Sequence, residues 1–124
     1  MSVEKINLGL QGEDAAVDFL TRRGYTIILR NFRNRLGEID IVAKQENTIC
    51  FIEVKTRTTD TQGNPLEAIT YFKKRKLSRL ALAYLKQYYG TLEVNARFDV
   101  VAITADDDGH NRIQLIEDAF EFCE

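Results

Sequence analysis

Two stretches in which apolar and polar residues alternate, Leu36–Gln45 and Thr48–Thr56, stand out in the hydrophobic pattern of this chain. Period-2 alternation marks strands with one buried face. Joined by a two-residue turn at Glu46-Asn47, they pair Gln45 with Thr48 and Asp40 with Glu53. One face then carries Ile39, Ile41, Ala43, Cys50, Ile52 and Val54, and the other carries Asp40, Glu53 and Lys55. A one-residue slip would send the acids into the apolar face, so the alternation specifies the register. The turn itself is a weak signal, because Glu-Asn lacks the glycine preferred in tight primed turns.

The flanking pattern changes period. From Leu8 to Arg23 the residues Leu8, Ala15, Ala16, Phe19 and Leu20 form one helical stripe, with Gly24 as the stop. Gly9 and Gly12 fall in that stripe, which implies close backbone contact, and Glu13 lies at its edge. Tyr25–Phe32 reads as a strand and the polar segment Arg57–Asn64 as a loop. Pro65 fits the first turn of a second helix that runs, with a break near Tyr71, to Gly90. Leu77, Leu80, Ala81, Tyr84 and Tyr88 should face the sheet, with Lys73 on the same side and Arg75, Arg79 and Lys86 on the far side. A fourth strand, Ala96–Thr104, a turn at Asp106–His110, a fifth strand, Arg112–Glu117, and a short terminal helix complete the pattern. The order is αβββαββ, and the helix between the third and fourth strands should be a crossover that makes them parallel. The expectation is one α/β domain over residues 1–124, with a mixed five-stranded sheet flanked by helices.

Composition narrows the class. A chain of 124 residues with 44% hydrophobic and 29% charged residues suits one soluble domain. No apolar run approaches the roughly 20 residues of a membrane span, and the start MSVEKINLGLQGED has no signal-peptide core. A cytoplasmic protein without membrane contact is expected, its Cys50 and Cys123 unbridged in a reducing compartment. The net charge of −2 argues against indiscriminate binding of polyanions. Charge location qualifies this, because Arg22, Arg23, Arg30, Arg33 and Arg35 gather early in the chain and Lys73, Lys74, Arg75, Lys76 and Arg79 gather in its middle.

The chemistry follows from the register. Opposed carboxylates about 5 Å apart repel by about 3–4 kcal/mol at an effective dielectric near 20. A hard divalent cation held by both would offset that repulsion and keep waters for reaction. Lys55, two residues beyond Glu53, returns to the same face, and Glu38 falls opposite Lys55, where it either neutralises the amine or joins a metal. An isolated acid-x-lysine on a strand is usually a structural ion pair of little energetic weight; the opposed Asp40 is what favours a site. Asp99 lies in an apolar strand, where a buried pairing with Arg97 is the preferred reading. His110 is the only histidine and falls in a turn, which argues against histidine-based catalysis. Asp106-Asp107-Asp108-Gly109 lacks the first acid and the twelfth-position glutamate of a calcium loop. No P-loop, nucleophile elbow or Cys/His zinc spacing is present.

The stretches GLQGEDAA (Gly9–Ala16), RNFRNRLGEIDIVA (Arg30–Ala43), FIEVKTR (Phe51–Arg57), the lysine-rich helix from Lys73, and RFDVVAI (Arg97–Ile103) together resemble the bacterial YraN family. That family belongs to the restriction-endonuclease-like, or PD-(D/E)XK, nucleases and is similar to archaeal Holliday-junction resolvases. The resemblance spans nearly the whole chain, with Ile39 where the superfamily motif has proline. It implies a metal-dependent endonuclease acting on DNA, on branched or irregular structures. Asp40 and Glu53 would hold Mg²⁺ or Mn²⁺, Lys55 would orient or activate water, and Glu13 would be a supporting acid from the first helix. Lys73, Arg57 and Arg33 are the expected DNA contacts. No small-molecule cofactor is implied, and a homodimer would suit a substrate with two symmetric cuts. The alternative is a binding or scaffold module that keeps this fold without catalysis.

Overall fold

The computed structural model describes residues 3–58, 63–105 and 110–124, and side chains from residue 12 onward. Helix α1 spans Val3–Arg22 and is followed by strands β1 (Thr26–Asn34), β2 (Gly37–Gln45) and β3 (Thr48–Thr58). A 3₁₀ turn at Pro65–Ala68 precedes helix α2 (Tyr71–Tyr89), and strands β4 (Ala96–Ala105) and β5 (Asn111–Phe120) close the chain. The expected break in the second helix has a local cause. The Thr70 hydroxyl accepts the Lys73 N–H and so starts α2 afresh at Tyr71.

One five-stranded sheet runs in the order β1-β2-β3-β4-β5. Its β3–β4 pair is parallel and the other three are antiparallel, so α2 is the crossover that the element order requires. The structure is therefore the expected mixed α/β fold. The helices lie on opposite faces. Ala16 and Leu20 of α1 pack with Ile41, Ala43, Cys50, Ile52 and Val101, while Leu77, Leu80, Ala81 and Tyr84 of α2 pack with Val42, Ile49, Phe51 and Phe98. Tyr88 is more exposed than its helical position suggested, yet its ring meets those of Phe32 and Tyr84. Gly12 shows the close contact inferred from the stripe. A Cβ there would lie 2.5 Å from Thr56 Oγ1, so only glycine lets α1 approach β3 this closely. The Leu8 side chain of that stripe and the acidic turn Asp106–Asp108 lie outside the described residues.

Two expectations need correction. The terminal helix is absent: β5 continues to Phe120, whose ring stacks on Phe98, and residues 121–124 have no regular structure. The tail is tied to α2 instead, by the Cys123 N–H to Ser78 Oγ and by the Tyr71 hydroxyl to the Glu124 carbonyl. Ile39 does not share a face with Ile41 and Ala43. It sits in the α2-side core with Phe32 and Val42. Strict alternation would put residues 39 and 42 on opposite faces, but Leu29 and Phe32 on the facing strand break step in the same way. The cause lies between them, at Asn31, whose φ of 58° places a left-handed residue within β1. The irregularity falls beside Asp40.

Candidate active site

The β2–β3 ladder has the register read from the alternation, from Gln45↔Thr48 to Ile41↔Ile52, and it stops one pair short of Asp40 and Glu53. Beyond that point β2 stays paired to β1, through Phe32↔Ile39 and Arg33↔Glu38. A fork opens between β2 and β3. Because Ile49 donates its N–H to the Asn95 carbonyl, just ahead of β4, alternation turns the Val54 N–H the other way, toward β2. There it meets a side chain instead of a strand carbonyl, with Asp40 Oδ2 accepting at 2.8 Å. The carboxylate replaces a missing rung of the ladder and is held in place by doing so.

Three acids converge on this point from two elements. Single carboxylate oxygens of Glu13 (α1), Glu38 and Asp40 (both β2) lie within 4.8 Å of one another. Glu53 follows on β3, and its charge acts on Asp40. The flanking acids each have a basic partner: Arg30 for Glu13 at 3.7 Å, Arg33 for Glu38 at 3.0 Å, and Lys73 for Glu53 at 2.5 Å. Among the described residues Asp40 has no such partner within ion-pair distance. Burial and the nearby Glu53 charge push its carboxyl up to about 7 against the pull of the Val54 N–H, with Glu13 and Glu38 adding to the rise.

The amines answer one another. Burial, followed by the neighbouring Lys73, holds Lys55 below its ordinary range. Lys73 loses something to burial, but its hydrogen bond and charge pairing with Glu53 hold it above its ordinary range. The outcome is a firmly cationic Lys73 clamped to Glu53, beside a Lys55 that releases its proton more readily. Lys73 was expected to face the sheet, where either a DNA phosphate or the acids would meet it; the fold places it against the acid of the acid-x-lysine pair itself. The remaining expected contacts separate. Arg33 is engaged by Glu38 and so joins the acid cluster. Arg57 donates from Nη1 to the Gly63 carbonyl at 2.9 Å and lines a cleft of about 390 Å³ together with Lys55, Pro65 and Glu67. Glu38 pairs with Arg33 and not with Lys55.

Asn31 escaped the sequence reading. With its amide nitrogen turned toward the acids it donates to Glu13 Oε1 at 3.2 Å and to Glu38 Oε1 at 2.6 Å, bridging α1 and β2. The signal was present as a polar Arg30-Asn31 step inside an apolar run, since asparagine is the side chain that most readily accepts a left-handed backbone. Asp99, in contrast, behaves as expected. It is fully buried and bound by Arg97 at 3.0 Å, by the Tyr25 hydroxyl at 2.9 Å and by the Asp118 N–H at 2.9 Å. Both cysteines are free. No helix of the described residues is long and apolar enough to cross a membrane.

The sequence profile described as "Uncharacterised protein family UPF0102" matches residues 12–103, and the chain belongs to that family. It is similar to a UPF0102 protein of Geobacter sulfurreducens, 53% identical over 116 residues that span 94% of this chain and 90% of the relative. A UPF0102 protein of Chlorobium phaeobacteroides is 49% identical over 114 residues, 92% and 90% of the two chains. One from Symbiobacterium thermophilum is 47% identical over 113 residues, 91% and 95% of the two. The matched segment runs from Gly12, beside Glu13, to Ile103 and so contains every residue of the fork.

Proposed function

We propose that this member of the UPF0102 family is a metal-dependent endonuclease of the PD-(D/E)XK type that hydrolyses phosphodiester bonds in DNA, on branched or irregular structures, in the cytoplasm. One observation carries the reading. Asp40 is a carboxylate fixed by a backbone N–H, surrounded by three further acids and paired with no cation, an arrangement that destabilises the protein unless something positive binds there.

The donor set fits a hard divalent ion. Oxygens held at 2.0–2.6 Å from a common cation are separated by up to about 4–5 Å across it, the spread that Glu13, Glu38 and Asp40 already have. Asp40 and Glu53 would hold Mg²⁺ or Mn²⁺, Glu53 through the oxygen that Lys73 leaves free, and Glu13 and Glu38 would complete the shell directly or through water. When bound, such an ion activates a water and stabilises charge on the phosphoryl oxygens.

The chain's own residues do the rest. Lys55 lies beside the acids, where its ammonium stabilises charge building on the phosphoryl group, and its lowered proton affinity also suits it to take a proton from water. Lys73 holds the Glu53 carboxylate in place. Asn31 holds Glu13 and Glu38 together. Arg57 lines the adjoining cleft, where a DNA phosphate is its natural counter-ion. Two copies related by a twofold axis would bring two such sites to a branched substrate, and light scattering at micromolar concentration would give twice the chain mass.

The test is cleavage of linear, flapped and four-way-junction DNAs in Mn²⁺ by the wild type, Asp40→Ala and Lys55→Ala. Cutting that both variants lose establishes the nuclease. No cutting at saturating Mn²⁺, with DNA affinity retained or raised in Asp40→Ala, would replace this reading with a non-catalytic binding module.

A further inference from the structure

The outer face of α2 carries a group of side chains that the phosphodiester chemistry leaves unused. Phe72, Arg75, Lys76 and Arg79 recur at i, i+3, i+4 and i+7 and so lie along one face of the helix. With Leu36, from the turn between β1 and β2, they line an open cleft of about 340 Å³. Phe72 is 79% exposed, more than any other large apolar residue among those described, and Leu36 is 38% exposed. The cleft has a firm floor. Gly37, at φ 146°, lets the turn rest on the helix, since a Cβ there would lie 3.0 Å from Lys76 Cδ and 3.6 Å from Leu80 Cδ1. The Lys76 stem is therefore packed, and its ammonium is left to point outward. The Arg75 Nε is buried without a hydrogen-bond partner. Phe72 directly precedes Lys73, whose ammonium grips Glu53, and Leu36 stands two residues before Glu38, so the cleft and the fork share the first turn of α2 and the start of β2.

An exposed aromatic ring among three cations is the chemistry that recognises unpaired nucleotides, with the base stacked on the ring and phosphates on the arginines and lysines. Paired bases in a duplex offer no free face to such a ring. A second copy of this chain related by a twofold axis through the cleft fits poorly, because it would bring Arg75, Lys76 and Arg79 against like charges.

We propose that this cleft takes an unpaired nucleotide of the DNA strand beside the cut phosphodiester, its base on Phe72 and its phosphates on Arg75, Lys76 and Arg79. The placement relative to the cut rests on the nuclease reading above; the binding does not, and it is measurable without metal.

Fluorescence anisotropy in EDTA, with a short oligothymidine and a duplex of matched length, separates the two. The wild type should bind the single strand more tightly. Phe72→Ala should weaken that binding by about 5- to 150-fold, the range of one base–aromatic stack, and leave duplex affinity unchanged. Phe72→Trp should restore it. Arg79→Gln should lower the slope of log affinity against log salt by about 0.7 on the single strand, a readout that a packing role would not move. No loss in Phe72→Ala, or equal loss on both DNAs, overturns the proposal. Tighter binding of matched oligouridine also overturns it by giving the cleft to RNA, as does a DNA-free dimer that Phe72→Ala dissolves. Cleavage by the wild type, combined with an intact single-strand preference in Phe72→Ala, sinks this proposal and spares the nuclease. A Phe72-dependent preference without cleavage of any DNA in Mn²⁺ does the reverse.

Discussion

Asp40 and Asp99 are both aspartates on interior strands of one sheet, and their surroundings are opposite. Asp99 is closed in on every side by donors: Arg97, the Tyr25 hydroxyl and the Asp118 N–H. Arg97 in turn reaches Gln45, the Tyr25 hydroxyl and, at 3.9 Å, Glu117. The network is balanced, and it ties Tyr25 (just ahead of β1), β2 and β5 to β4. At its centre the Asp99 carboxylate has zero exposure and accepts from all three donors, which leaves it no position for a ligand. Asp40 receives one N–H and faces acids. A buried charge with its partners holds a fold together, while a half-buried charge without them needs something the chain does not supply.

The sharpest way to break the comparison is to remove each acid in turn. Asp99→Ala strands Arg97 and Tyr25 in the core and should cost about 3–5 kcal/mol of stability, the range for breaking a buried charge pair, read by urea unfolding. Asp40→Ala should abolish cleavage and leave stability unchanged or raised. An Asp99 variant as stable as the wild type would remove the distinction drawn here.

A smaller effect is expected at Lys73. Lys73→Met keeps the stem but leaves Glu53, 8% exposed, without its cation. Because the Lys73 side chain is itself 34% exposed, water screens part of the pair, and the loss should be about 1–2 kcal/mol. The double variant Lys73→Met, Glu53→Gln should recover most of it in the same unfolding assay. If the single variant is neutral, the clamp on Glu53 is not structural.

The smallest effect is a pH dependence. Asp40 in the folded protein titrates near 7, against 3.8 ordinarily, so the native state holds its proton more tightly than the unfolded chain does. The contribution of Asp40 to stability is therefore greatest in acid, is lost as pH rises from about 4 to about 7, and stays lost above that. Asp40→Asn should flatten this part of the pH–stability curve. Metal reverses the sign. Mn²⁺ competes with the proton, so it should raise the melting temperature of the wild type more at pH 8 than at pH 5.5 and do little to the variant.

Much of this was legible before the fold was known. The pairing Gln45↔Thr48 through Ile41↔Ile52, the parallel β3–β4 pair, the tight approach at Gly12 and the Arg97–Asp99 pair all follow from local periodicity, from the length of a crossover or from the cost of burying charge. The errors have a common cause. The terminal helix and the face of Ile39 were extrapolated from short stretches whose shape is set by distant partners: Phe98 and Ser78 for the tail, and Asn31 on the facing strand for Ile39.

The sequence by itself determined which residues alternate and therefore which face the regular parts of β2 and β3 present, because the repeat of two is built into an extended backbone; at Ile39, opposite the left-handed Asn31, that repeat fails. It also determined that Asp40, Glu53 and Lys55 fall close together on adjoining strands. Only the tertiary structure decided where the β2–β3 ladder stops, that Glu13 and Glu38 close around Asp40, that Lys73 clamps Glu53, and that Phe72 and Leu36 meet across a cleft. These depend on how far a helix sits from a sheet and how it is rotated against it, quantities set by the fit of whole faces such as Gly12 on Thr56 and Gly37 on Lys76. No local period carries that information.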